Sequence, residues 1–310
     1  MIGKTAIACA LSSLFLFAGM AGSAAEQASG NLPPVEAQKV AAHIWYLHAA
    51  GGNVTALIGK DGTLLVDAEF APFVPEILHK LKTLGGGPPR FVIDTHYHED
   101  HTGGNGAMRA AGATVIAQAN VLARLEQVQR APLGGSVPAP VPASKFPAMT
   151  FQHELTLYFD GETVHVRHLP PAHTDGDSVV VFEQANVVAT GDIFFNGMYP
   201  YIDVNAGGSV GGAISDINRL LRRMNDKTVV IPGHGAVADK AALVRYRNML
   251  ISMRDKIKRM IDEGKTLAEI QAAQPTASLD KHWDKMENGK GARRFVAEIY
   301  YSLRPHFPGT

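Results

Sequence analysis

The chain has 310 residues, 46% hydrophobic and 19% charged, ordinary usage for one large or two modest globular domains and unlike a coiled coil or a disordered chain. Lys plus Arg and Asp plus Glu number 29 each, so no net field draws it to nucleic acid or to an anionic membrane. Cys9 is the only cysteine, which excludes a disulfide framework.

Residues 1–25 carry one charge, Lys4, ahead of an apolar run from Ala6 to Ala18 and the small residues Gly22 to Ala25. That layout predicts a cleaved secretory signal peptide and a periplasmic or secreted protein with no stable membrane insertion. The run is short for a bilayer span. A polar stretch follows to Glu36. Strands are then expected at Ile44–Leu47, Val54–Ile58, Thr63–Val66 and Phe91–Ile93, with a hairpin at Gly59 to Gly62. Helical spacing appears from Pro75 to Leu84 and from Gly103 to Ala111, followed by a strand at Thr114–Ala117. Five prolines between 132 and 147 predict a long surface loop, here taken as a cover for the site. Strands resume at Leu155–Phe159, Thr163–His168, Ser178–Phe182 and Val187–Ala189, then a helix over 209–224 and a strand over 228–231. From Asp239 the pattern turns helical, with a stripe from Leu243 to Met260, a helix capped by Thr266 and another over 292–303. This order predicts an α/β layered domain over 26–238 and a helical extension, 239–310, packed on it.

The chemistry is concentrated at strand ends. Asp94-Thr95-His96-Tyr97-His98-Glu99-Asp100-His101 places three imidazoles and a carboxylate within six residues, directly after a strand. Imidazole nitrogen and carboxylate oxygen are ligands for zinc and similar divalent ions. In extended backbone His96 and His98 project to one side. A tight turn is needed to aim both Asp100 and His101 inward. By chance this pattern arises in roughly one such chain in a thousand. His173, Asp192 and His234 each follow or border a strand in the same way. A lone histidine at a strand end is usually plain structure, but five histidines and two aspartates are what two metals require.

These segments resemble the metallo-β-lactamase superfamily, whose H-x-H-x-D-H signature is matched at 96–101. The resemblance implies a four-layer αβ/βα sandwich with two Zn2+ per chain. It puts His96, His98 and His173 on the first metal, Asp100, His101 and His234 on the second, and Asp192 between them. Asp67 matches an acidic position that supports the metal loops from behind. Some zinc β-lactamases of this superfamily have Cys or Ser where this chain has Asp192, and those with Cys have a Lys shortly after it. Here Ile193 to Gly197 contain no cation, and the aspartate follows the glyoxalase II, lactonase and general hydrolase pattern. The glutathione-binding basic residues of glyoxalase II are not found.

The expected activity is hydrolysis of a small-molecule ester, thioester, lactone or lactam, extending to weak β-lactamase activity. A metal-bound hydroxide would attack the carbonyl, and Asp100 would also shuttle the proton. Phe195, Asn196, Tyr199 and Tyr201 are expected to wall the substrate pocket, with ordinary packing as the alternative. Two competing readings are a mononuclear iron oxygenase of the same fold and a non-catalytic metal-binding protein. Nothing in the sequence bears on oligomeric state.

Overall fold

The computed structural model describes residues 32–127 and 140–304. The signal-peptide reading, Cys9 and the prolines at 132 and 138 lie outside the described residues. The described residues from Pro34 onward form one compact unit.

Its first sheet has seven strands in sequence order: β1 (Glu36–Lys39), β2 (Ile44–His48), β3 (Val54–Gly59), β4 (Gly62–Val66), β5 (Pro89–Ile93), β6 (Thr114–Gln118) and β7 (Met149–Phe151). β1 to β4 run antiparallel and β4 to β7 parallel. Parallel neighbours need crossover connections. α1 (Val74–Thr83) supplies the one between β4 and β5, while α2 (Glu99–Thr102) and α3 (Asn105–Ala110) fill the next. α4 (Ala119–Glu126) follows β6.

The second sheet has the order β13-β12-β11-β10-β9-β8, with β8 (Glu154–Phe159), β9 (Glu162–His168), β10 (Ser178–Phe182), β11 (Val187–Ala189), β12 (Val229–Ile231) and β13 (Ala238–Asp239). Only β11 and β12 are parallel, joined through α5 (Val210–Arg223). The tail contains α6 (Lys240–Asp262), α7 (Leu267–Ala272), α8 (Ala277–Trp283) and α9 (Lys290–Ser302).

Strand alternation makes four layers. Leu64, Val66 and Ile93 of the first sheet meet Val164, Val180 and Phe182 of the second in the central core. Leu65 and Val92 point the opposite way, onto Ile77 and Leu81 of α1. On the outer face of the second sheet, Val179 and Val188 share a core with Ile217 of α5, Tyr246 and Leu250 of α6, and Phe295 and Ile299 of α9. This is the α/β, four-layer αβ/βα sandwich, and the tail is part of its outer core.

The helix expected over 103–111 is present as Asn105–Ala110, preceded by bare backbone at Gly104, where a Cβ would lie 2.2 Å from Ala68 O. β1, β7, α4 and α8 were not anticipated; they are short, three to eight residues each. The described part of the Pro-rich segment does not cover the site. It lies on α3, where Arg109 donates to Phe146 O (2.9 Å) and Asn105 to Lys145 O (3.3 Å).

Candidate metal centre

Four loops at strand ends of the two sheets bring the seven predicted residues together. His96, His98, His173 and Asp192 form one group of donor atoms and Asp100, His101 and His234 a second, each within 4.8 Å. His98 Nδ1 lies 3.1 Å from His96 Nε2 and 2.9 Å from His173 Nε2. Asp100 Oδ2 is 3.1 Å from His234 Nε2 and 3.6 Å from His101 Nε2. Asp192 stands between the groups. Its Oδ1 is 3.1 Å from His101 and 3.4 Å from His234, while its Oδ2 is 3.4 Å from His173 and 3.7 Å from His96.

The local fold explains these placements. Asp100 and His101 lie on the single turn of α2, which starts where His98 leaves extended backbone (φ −62°, ψ 149°). The tight turn required by the sequence is thus a helical one. Behind it, buried Asp67 accepts from Thr95 N (2.7 Å) and Thr95 Oγ1 (2.9 Å) and fixes His101 through Nδ1 (2.8 Å). Asp67 and Glu69 both adopt positive φ, 66° and 58°, strain that a non-glycine residue holds only where its surroundings over-determine it. Those surroundings are visible: Glu69 accepts from Ala50 N at 3.1 Å and from Gly51 N and Phe70 N. It thereby folds residues 49–53 over the centre. There Gly52 N donates to Asp100 O, and Asn53 Nδ2 donates to Pro232 O and Gly235 O beside His234. A Cβ at Gly52 would meet the His101 ring at 2.3 Å, and one at Gly233 would meet Asp192 Oδ1 at 2.0 Å.

Three carboxylates here escaped the sequence reading. Asp203 Oδ2 accepts from Tyr97 OH and lies 3.1 Å from His98 Nε2, leaving Nδ1 of that ring for the centre. Asp177 holds the His173 loop by accepting from His173 N (2.7 Å) and Thr174 Oγ1 (2.6 Å). Glu69 is the third. His173 Nδ1 is within 2.8 Å of Tyr201 O, so both ring nitrogens are committed. Partners of this kind set the tautomer and aim of a metal-ligating histidine.

Electrostatics fit a cation. Burial, reinforced by neighbouring imidazoles, holds His96 well below the ordinary histidine range and His173 at about 4. Burial opposes ionisation of Asp192, yet His234, His101 and the other rings hold its carboxyl well below the carboxylate range. Burial likewise disfavours charge on His101 and His234, but Asp192 outweighs it, with Asp100 assisting, and holds both up, His234 at about 9. A proton is thus attracted to the places where a metal would sit, and metal binding displaces such protons. His101 Nε2 and Asp192 Oδ1 are buried without a geometrically sound hydrogen bond, which is costly unless a ligand satisfies them. The donor set of neutral nitrogen and anionic oxygen suits zinc.

The centre opens into a cleft of about 330 Å³ whose lining includes His98, Asp100, Asp192, Phe195, Tyr199, Tyr201 and His234. Phe195 stacks on His234 at 5.0 Å. Asn196 does not line the cleft; its amide turns away to donate to Ala236 O. The opposite wall comes from the tail, with Trp283, Lys285, Met286 and Arg294.

The family model described as metallo-beta-lactamase superfamily matches residues 49–234. A hydroxyacylglutathione hydrolase from Polaromonas sp. is 31% identical over 146 residues, 46% of this chain and 47% of the relative, so the chain spans about half of that relative's length. A metallo-beta-lactamase type 2 from Bacillus sp. is 25% identical over 205 residues, 65% of this chain and 74% of the relative. Among solved structures, the DIM-1 metallo-beta-lactamase has a TM-score of 0.58 at 19% identity, covering 71% of this chain and 98% of its own. A metallo-beta-lactamase from Pontibacter korlensis has a TM-score of 0.57 at 21% identity, with 70% and 98% covered. Sheet order, strand-end donors and a family model that spans more than half of the sequence agree: the chain belongs to the metallo-beta-lactamase superfamily.

Proposed function

We propose that the chain is an exported hydrolase with a dinuclear zinc centre, acting on a small carbonyl compound. One observation carries this reading: seven donors fall into two groups with Asp192 facing both. His96, His98 and His173 would hold one ion and Asp100, His101 and His234 the other, with Asp192 shared. Zinc ions held there would supply Lewis acidity toward a carbonyl and make water nucleophilic near neutral pH.

The chain's own residues do the rest. Asp203 and Asp67 fix the rings of His98 and His101, so the donors are set before substrate arrives. Asp100 lines the cleft with Oδ2 against His234, placed to take up and release a proton at that oxygen. Phe195, Tyr199 and Tyr201 exclude water from one side of the cleft and hold an apolar body. Esters, thioesters, lactones and lactams are the substrate classes, and the two relatives, whose names point to different reactions, do not select among them. Export rests on the sequence pattern of residues 1–25 alone.

Metal content of the purified protein, followed by chromogenic esters, lactones and cephalosporins, tests the reading. Two zinc ions per chain and turnover of at least one class are expected. One iron per chain, or a zinc-loaded protein that turns over none of them, overturns it.

A further inference from the structure

The outer face of the second sheet is covered over only part of its width. Val179 and Val181 of β10 and Val188 of β11 pack in the outer core beneath α5. The outward residues of β8 and β9 are polar instead: Thr156, His165 and Arg167 are exposed or half-buried, and Tyr158 is 83% exposed. Register places Glu154, Arg167 and Val179 in one row across β8, β9 and β10, and such cross-strand partners share a face. Where the helical cover stops, a cleft of about 570 Å³ remains, a size in the range of small-molecule sites. Its floor is apolar, with Leu169, Val179, Val181 and Val188 from the sheet side and Leu220 and Met224 from α5. It shares no residue with the cleft at the metal centre.

Around that floor stand four arginines, Arg167 on β9 and Arg219, Arg222 and Arg223 in the last turns of α5. Glu154 is the one acid among the described residues of the lining, and its Oε2 is 3.7 Å from Arg167 Nε. Arg219 Nε lies 3.8 Å from Asp216 Oδ1, a buried carboxyl that burial pushes up to about 7 and whose counter-charge is therefore weak. Arg222 and Arg223 are exposed, and their guanidinium groups form no hydrogen bond or ion pair with any described residue. Asp226, just beyond the helix, pairs with Lys240 at 3.4 Å. Cations in a last turn also suit the negative end of a helix. That accounts for Arg222 and Arg223 as residue types, but not for Arg167 across the cleft or for an apolar floor between them.

We propose that this cleft is a second ligand site and takes a single-chain amphipathic anion, with an apolar chain on the valine floor and an oxyanion head among the arginines. Guanidinium donors match the oxygens of such a head and hold it by charge-assisted hydrogen bonds. The chain gains from burial against Val181, Leu220 and Met224, which otherwise meet water at the edge of the helical cover. The site does not depend on the hydrolase reading.

The test is calorimetric titration of the full chain with decyl sulfate, decyltrimethylammonium and inorganic sulfate, the first two below their micelle concentrations. Decyl sulfate is expected to bind one per chain, at least about tenfold more tightly than either of the others at low salt, with its lead over the cation shrinking as salt rises. Arg222→Gln combined with Arg223→Gln should weaken it about tenfold or more. Both positions are exposed and glutamine is a good helix former, so the fold is kept, which circular dichroism checks. Lys80→Gln with Lys82→Gln removes the same charge from α1, on the far side of the first sheet, and should leave the affinity within about twofold. Equal binding of the cation would show that the arginines play no part, and equal binding of inorganic sulfate that the floor plays none. Either result overturns the proposal, as does decyl sulfate that fails to bind, that binds the arginine variant as tightly as wild type, or that is weakened equally by the two pairs of substitutions.

Discussion

The two walls of the cleft are built on opposite plans. The inner wall is a set of loops at strand ends, with five imidazoles and two carboxylates clamped by buried Asp67, Asp203 and Asp177. The outer wall comes from the helical tail, with Trp283 ending α8, Lys285 and Met286 in the turn after it and Arg294 on α9. The inner wall concentrates donors that only a cation reconciles, whereas the outer wall carries an exposed Lys285 and an Arg294 paired with Glu298. Chemistry is therefore expected to fail all at once when the inner wall is altered and to drift when the outer one is.

Four substitutions sharpen that contrast. Asp192→Ala removes the carboxylate shared by both donor groups. We expect activity to fall by about a thousandfold or more, since the lost interaction is several kcal/mol, with metal lost in parallel by elemental analysis. Phe295→Ala empties a fully buried position between α9 and the second sheet. It should cost about 3–5 kcal/mol in chemical denaturation, and a loss under 1 kcal/mol would mean that the tail is not part of the outer core.

Asp216 on α5 gives a pH handle. It is buried, neither of its carboxylate oxygens has a hydrogen-bond partner, and burial pushes it up to about 7 despite Arg219 at 3.8 Å. A carboxyl raised in the folded state contributes stability that is complete below the unfolded value near 4 and is lost as pH rises towards 7. Asp216→Asn should flatten that decline, leaving the variant the more stable protein at pH 8, by at most about 4 kcal/mol. Parallel denaturation curves for the two proteins from pH 5 to 8 would refute it. Asp203→Asn, the smallest change, keeps shape but weakens the hold on His98; chelator competition should show zinc bound about 10–100-fold more weakly.

What the sequence revealed follows the same division. The metal loops were legible because rare residue types recur at short spacing immediately after apolar strands, and because β4 and β5 are themselves short continuous apolar runs. Asp203 was not, since an isolated acid at Tyr201-Ile202-Asp203 looks like any loop carboxylate until folding sets it against His98. The cleft positions of Lys285 and Arg294 were hidden for a related reason: they depend on how α8 and α9 dock, which no local period encodes. Asn196 shows the converse error. Its neighbour Phe195 reaches the cleft, but the two side chains diverge, and Asn196 satisfies Ala236 O instead.

Zinc stoichiometry, measured on wild type and on Asp192→Ala after dialysis against trace zinc, bears most directly on the centre. Two ions per chain in the wild type, with at least one lost in the variant, are predicted. A single ion in the wild type, or two retained without Asp192, would contradict the shared-carboxylate centre.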